Sequence, residues 1–184
     1  MPKYTEIEIA KADGPYVPPS EFSSAYLNEQ IARIEKFPVD LERVVAGLFP
    51  AQLELPYRAG GWQLKQVIHH IADSHMQAFS RFKLTLTEET PTIKPYDQNL
   101  WAASADSENA DTQFSVDIVK PLHKRWSILL RSMQPEDFNR VYYHPEYKKE
   151  FSLAHVTGMY AWHGNHHLMQ IEMFLENIQE AGSN

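Results

Sequence analysis

The sequence contains no cysteine among its 184 residues. This absence excludes disulfide bonds, thiolate metal ligands and a cysteine nucleophile within the chain. Any chemistry must therefore use imidazole, carboxylate or hydroxyl groups, or a group that another molecule supplies. Histidine is well represented, with nine residues, and six of these lie in two clusters at positions 69–75 and 163–167.

Long apolar runs and excess basic charge are also missing. No run approaches the roughly 20 apolar residues that a membrane-spanning helix needs, and residues 1–14 lack the basic-then-apolar order of a signal peptide. The 17 Lys and Arg against 24 Asp and Glu give a formal net charge of -7. This charge argues against a general attraction to nucleic acid or to anionic membranes. We therefore expect a cytoplasmic protein with neither as a partner.

The length and the 43% hydrophobic content predict one globular domain that spans residues 1–184. Apolar residues recur with helical periodicity in several segments, and no persuasive alternation of the kind found in strands is present. The sequence therefore predicts an all-α fold, most economically a four-helix bundle, with a long loop between the second and third long helices.

Local signals set the expected boundaries. Residues 1–19 are rich in proline and predict an extended segment. Ser20 is a candidate N-cap for a helix that ends near Phe37, and Pro38 then suits the first turn of a second, shorter helix. Further helices are expected at about 63–89 and 115–133, and Ser152 is the expected N-cap of the last helix. Residues 50–61 and 90–111 are predicted to be loops, and residues 138–151 a connector.

The last helix carries the stretch Trp162-His163-Gly164-Asn165-His166-His167. At 3.6 residues per turn, His163 and His167 project from one face, one turn apart, so that both imidazoles could reach one metal ion. A count of about 100° per residue places both on the apolar stripe, with His166 toward its edge. Core histidines that are satisfied by hydroxyls or carbonyls are the alternative interpretation, because the pair needs a third ligand to become a metal site.

The third ligand should come from the other helix that is rich in histidine. Helical phase places His75 near the centre of the apolar stripe and His70 on its flank, whereas His69 points away. Phase alone slightly favours His75 over His70, but it cannot decide between them, because the interior faces of a bundle are wide.

Several blocks in order resemble the DinB-like superfamily, and more closely the YfiT group of metal-dependent hydrolases. The blocks include Tyr-Arg-Ala-Gly-Gly-Trp at 57–62 and a final Tyr-Ala-Trp-His-Gly-Asn-His-His at 160–167. The remaining blocks lie at 67–76, 81–84, 88–97, 123–126 and 144–146.

This resemblance implies a bundle that holds one divalent ion, zinc or nickel, per subunit on His70, His163 and His167. It thereby favours His70 over His75 as the third ligand, and leaves His75 as a reserve ligand, a residue that lines the pocket or a residue at a subunit contact. It also implies a homodimer. These assignments come from the resemblance and not from helical phase.

Three neutral imidazoles leave a coordination position open for water or a small-molecule substrate, which favours a metal-dependent hydrolase. A zincin-type peptidase is not expected, because Gly164 replaces the glutamate that follows the first histidine of that motif. Asp73 is the nearest acidic residue to a candidate ligand, and we favour a surface role for it over support of a ligand. No catalytic base can be named from the sequence.

Two other functions fit the same ligands. The first is thiol S-transfer in detoxification with a low-molecular-weight cosubstrate such as bacillithiol, as in relatives within the superfamily. Its polar cleft could use Arg58, Lys94 or Arg125. The second is a non-catalytic, stress-associated metal-binding protein, whose signature would be a fourth protein ligand, such as His75, that closes the site.

Overall fold

The computed structural model describes residues 3–182. Four long helices dominate it: α2 (Ser24–Ala46), α4 (Leu64–Thr87), α7 (Thr112–Ser132) and α8 (Leu153–Gly182). Between them lie the short helices α1 (Glu6–Lys11), α3 (Pro50–Leu53), α5 (Gln98–Ala102) and α6 (Ala105–Asn109), a 3-10 turn (Asp137–Asn139), and the strands β1 (Val141–His144) and β2 (Lys149–Ser152). The predicted all-α, four-helix architecture is confirmed.

The order of the helices around the bundle differs from the order along the chain. Helix α2 packs mainly against α7 and α8, and α4 packs against the same two helices. The first two long helices therefore lie on one diagonal of the bundle, α2 opposite α4, and the last two lie on the other, α7 opposite α8. The long connections 47–63 and 133–152 allow the chain to cross the end of the bundle instead of making the tight turn of an up-and-down bundle.

Several predicted boundaries are wrong. Residues 1–19 include helix α1, which the capping box between Thr5 and Glu8 begins. The connector 138–151 contains an antiparallel hairpin in which Val141 pairs with Ser152. The predicted loop 90–111 carries α5 and α6, and the N-cap of α2 is Ser23 instead of Ser20. Ser152 does bond the backbone N–H of His155, as its capping role requires.

The prediction that Pro38 separates two helices is also wrong, because Pro38 lies inside the single helix α2. A proline in a helix leaves the carbonyl four residues earlier without its N–H donor. That carbonyl belongs to Ile34, and it accepts a hydrogen bond of 2.7 Å from Nδ1 of His123 on α7. Tertiary structure thus replaces the missing helical bond, and α2 continues to Ala46.

A layer of histidines divides the apolar core. One cluster contains Ile31, Phe82 and Trp126, and the other contains Leu41, Ile68 and Ile171. The change from one cluster to the other occurs near the buried His75 on α4, near the buried His123 on α7, and at the half-buried His163 and His167 on α8. No helix within residues 3–182 is long and apolar enough to cross a membrane.

Gly164 permits a close approach of α8 to α2 within this layer. A Cβ atom at residue 164 would lie 2.7 Å from two ring carbons of Phe37. The Phe37 ring is itself stacked on His75 and tilted against His123, with centroid separations of 5.2 Å. The ring therefore cannot retreat without disturbing the histidines. A glutamate after His163, as in a zincin, would not fit here.

We expect Gly164→Ala to lower the free energy of unfolding by about 1–3 kcal/mol, because overpacking exceeds the gain in helix propensity. Urea denaturation followed by circular dichroism measures this change. Gly47→Ala is the matched control, since a Cβ atom there meets only backbone oxygens at 3.5 and 3.8 Å. Equal unfolding midpoints for the two variants would contradict the proposed close contact.

Candidate metal centre

His70 of α4 converges with His163 and His167 of α8. One ring nitrogen from each of the three histidines lies within 4.8 Å of those of the other two, an arrangement that could hold a metal ion. The Nε2 atoms of His70 and His163 are 3.3 Å apart. This separation matches the value of about 3.3 Å expected for two imidazole nitrogens on one tetrahedral zinc ion.

The environment keeps these imidazoles neutral. Burial lowers the pKa of His70 to about 4 and that of His167 to about 3. Burial, reinforced by the neighbouring imidazoles, also lowers the pKa of His163 well below its usual value. All three rings therefore have a lone pair available at neutral pH, as a metal ligand requires.

A chain of hydrogen bonds fixes the tautomer of His163. The Ile34 carbonyl can only accept, so His123 must carry its proton on Nδ1. In the neutral ring, Nε2 of His123 then accepts from Nδ1 of His75, at 2.7 Å. Nε2 of His75 in turn accepts from Nδ1 of His163, at 3.1 Å. The lone pair of His163 is consequently on Nε2, which faces His70.

Aromatic rings hold this chain in place. Phe37 covers His75 and His123, while Trp126 and Tyr160 meet His75 edge-on, with centroid separations of 6.1 and 5.3 Å. His75 has no solvent exposure and His123 is only 1% exposed. Since burial lowers the pKa of both imidazoles, they remain neutral donors and acceptors at neutral pH.

A second set of contacts, from the N-terminal segment, orients His167. Nδ1 of His167 donates to Oε1 of Gln170 at 2.9 Å, which leaves Nε2 free. The Gln170 amide is oriented because its Nε2 donates to the Ala10 carbonyl at the end of α1, at 3.0 Å. Gln170 also bonds Nε2 of His166, whose Nδ1 lies 2.9 Å from a carboxylate oxygen of Asp13. His166 thus supports the cluster from outside.

The cluster opens onto a cavity of about 390 Å³. Trp62 packs on His70 with a centroid separation of 4.8 Å, so the Tyr-Arg-Ala-Gly-Gly-Trp block at 57–62 brings its tryptophan to the site. Arg58 and Trp162 also line this cavity. A small molecule in this cavity could therefore reach the three imidazoles.

The structure separates the alternatives that the sequence left open. It brings His70, and not His75, into the cluster; both ring nitrogens of His75 bond other histidines. Asp73 belongs neither to the cluster nor to the lining of its cavity, and burial and the nearby Asp106 raise its pKa to about 6. Arg125 instead covers the Phe79 ring on the outer surface.

Sequence reasoning missed His123, Gln170 and Asp13. A partial signal existed for His123, because a proline within an apolar helical pattern requires a donor for the carbonyl four residues before it. Gln170 lies three residues after His167 and so shares its face. No sequence signal connected Asp13 with the last helix.

The donor set suits a divalent ion: three neutral imidazoles, two of them held as Nε2 donors by outer hydrogen bonds. The fold and the cluster together define a helical-bundle protein with a three-histidine site of the type that binds such an ion.

Comparisons with known proteins agree with this class. The family model described as the DinB superfamily matches residues 33–171. The "Putative metal-dependent hydrolase YfiT" of Bacillus subtilis is 41% identical over 167 residues, which cover 91% of this chain and 94% of that protein. A "Putative metal-dependent hydrolase" of Bacillus pumilus is 45% identical over 166 residues, 90% of this chain and 94% of that one.

A solved structure is equally similar. It is described as "YfiT from Bacillus subtilis is a probable metal-dependent hydrolase with an unusual four-helix bundle topology", and it superposes with a TM-score of 0.91 at 39% identity, covering 94% of this chain and 98% of that one. The chain belongs to the DinB superfamily, and its fold is that of YfiT.

The hydrogen-bond chain generates a prediction for His75. In the metal-free protein, His75→Leu should leave His163 in mixed tautomers, because its Nδ1 loses its acceptor. His75→Gln should retain the wild-type tautomer, since a glutamine can both donate and accept. Nitrogen-15 NMR of labelled histidines distinguishes these states. Zinc affinity, measured by chelator competition, should fall roughly tenfold or more for His75→Leu alone. An unchanged His163 spectrum in His75→Leu would disprove the tautomer assignment.

Proposed function

We propose that this protein is a metal-dependent hydrolase of small molecules that holds zinc or nickel on His70, His163 and His167. One observation carries the proposal: three neutral ring nitrogens converge within 4.8 Å at the wall of an open cavity. The names of the relatives, which refer to metal-dependent hydrolases, support it.

The chain's own residues supply position and access. The bonds from His75 and Gln170 orient His163 and His167 before any ion binds, so little reorganisation is needed. The cavity admits substrate on one side, while Phe37 and Trp126 exclude water from the side of His75. When bound, the ion supplies a Lewis acid that lowers the pKa of an oxygen or sulfur ligand toward neutrality.

Thiol S-transfer is the second candidate, and one feature favours it. Among the described residues, no aspartate or glutamate lines the cavity that contacts all three histidines. Hydrolysis benefits from a general base, whereas a thiol that binds a metal loses its proton without one. Arg58 lies in that cavity, where it could face an anionic part of a bacillithiol-type cosubstrate.

A non-catalytic, structural site has less support. Its expected signature is a fourth protein ligand, and His75 cannot serve because both of its nitrogens are engaged. The geometry instead leaves one side of the cluster on the cavity. A homodimer remains an expectation from the family, to be tested by light scattering in solution.

Metal stoichiometry tests the ligand assignment. We expect His70→Ala, His163→Ala and His167→Ala each to abolish stoichiometric binding of zinc or nickel, because two imidazoles retain an ion poorly. His166→Ala is the matched control and should largely retain the ion, since His166 bonds Gln170 and Asp13 instead. Elemental analysis after dialysis gives the result. An equal loss in all four variants would refute the assignment.

Turnover tests distinguish the two reactions. For the wild-type protein loaded with zinc or nickel, we expect hydrolysis of activated esters and amides without any added thiol, and its loss in His163→Ala. The same protein should then be assayed with electrophilic acceptors and bacillithiol-type thiols. Turnover that requires the thiol would favour the transferase, and the absence of turnover in every assay by the metal-loaded protein would contradict both proposals.

A further inference from the structure

Arg81 of α4 is a buried guanidinium without an ionic partner. Its side chain is 7% exposed, and its Nε atom has no hydrogen-bond partner. None of the ion pairs formed within residues 3–182 includes it. A buried charge without a counter-charge is costly. A buried cation of this kind is better explained by a ligand that it binds than by a role in stabilising the fold.

The guanidinium lies at the wall of a second cavity, of about 330 Å³, which we call the Arg81 cavity. Its inner lining is buried and includes Ser74, Tyr142, His144 and Tyr160. His163 lines this cavity as well as the one described above. The Arg81 cavity therefore extends from the three-histidine cluster to the arginine.

Helical geometry gives the scale of this extension. Ser74 and Arg81 follow His70 by four and eleven residues, which places all three on nearly the same face of α4. A rise of 1.5 Å per residue separates the Cα atoms of His70 and Arg81 by roughly 16 Å. The Cα–Cβ bonds of a helix tilt toward its N-terminus, so that of Arg81 is directed toward the end of α4 that carries His70.

Other polar groups around Arg81 are also unpaired or neutral. Nδ1 of His144, a residue that is 6% exposed, has no hydrogen-bond partner. Burial, with a smaller contribution from Arg81, lowers the pKa of His144. Burial raises the pKa of Tyr142 above its usual value, and the Arg81 guanidinium, which lies within hydrogen-bond reach of this phenol, acts in the opposite direction. The cavity thus offers one cation together with neutral hydroxyl and imidazole groups, a suitable lining for a small anion.

The rim of the cavity limits the charge of that anion. Asp97 and Glu146 lie there and are exposed. The Asp97 carboxylate accepts the backbone N–H groups of Asn99 and Leu100 and is therefore committed to capping α5. Because one guanidinium lies behind two rim carboxylates, it can balance a ligand with one negative charge better than a ligand with two negative charges. A carboxylate suits this field better than a phosphate dianion.

We propose that the Arg81 cavity binds a carboxylate group of the substrate, with Arg81 as its main partner. The substrate is then an elongated small carboxylic acid whose reacting group lies several bonds away, at the three-histidine cluster. This inference rests on the proposed function, because it treats the Arg81 cavity as the part of the substrate site that lies beyond the metal.

Binding to the metal-free protein tests the inference separately from the metal chemistry. Hexanoate, hexanol and hexyl phosphate are titrated into the full-length protein in the presence of EDTA, and amide NMR shifts give the dissociation constants. We expect hexanoate to bind at least tenfold more tightly than hexanol, and more tightly than hexyl phosphate. Arg81→Met should remove the preference for hexanoate and leave the affinity for hexanol unchanged.

Two further variants complete the test. Arg81→Gln removes the same charge but keeps a polar group, so it replaces Arg81→Met if the latter fails to fold. Arg125→Met removes an arginine from the outer surface and should retain the preference for hexanoate. Equal affinity of the wild type for hexanoate and hexanol, tighter binding of hexyl phosphate, or an unchanged preference in a folded Arg81 variant would each overturn the inference, whatever the metal experiments show.

Discussion

The bond between Nδ1 of His123 and the Ile34 carbonyl is the contact on which the interior of this bundle depends. Pro38 creates the need for it, since no helical N–H can reach that carbonyl. The acceptor in turn fixes which nitrogen of His123 carries the proton. Because each neutral imidazole has one donor and one acceptor, this choice passes through His75 to His163. A backbone irregularity in α2 thereby sets the chemistry of a side chain in α8.

A layer of imidazoles is a costly way to fill the centre of a bundle, because polar groups must be desolvated. The cost is reduced when every donor meets an acceptor, as in the chain from Ile34 to His163. Several of the groups that remain unpaired lie at the cavities, namely the Nε2 atoms of the cluster, Nε of Arg81 and Nδ1 of His144, whereas Nε1 of Trp126 has no partner within the core. A ligand in either cavity could supply partners for the unpaired groups that line it, and unpaired polar groups of this kind are typical of functional sites.

The repeating features of the structure could be predicted from the sequence, whereas the long-range contacts could not. Helical periodicity predicted the long helices, and Ser152 correctly predicted the start of α8. Pro38 misled because local rules do not foresee a donor from another helix. Helical phase could not choose between His70 and His75, since both lie on the buried side of α4. One faces the cavity and the other faces His123, a difference that depends on how α7 packs.

The two histidines that α8 contributes to the cluster are held by contacts of different stability. His163 is held from the centre of the bundle, which opens only when the whole domain unfolds. His167 is held through Gln170 by a carbonyl of α1, a six-residue helix that packs on the outside of α8. Such peripheral elements open locally at much lower free energy than the core. Detachment of α1 would therefore loosen His167 while the bundle stays folded, so that the order of this histidine and the global stability are separate properties of the protein.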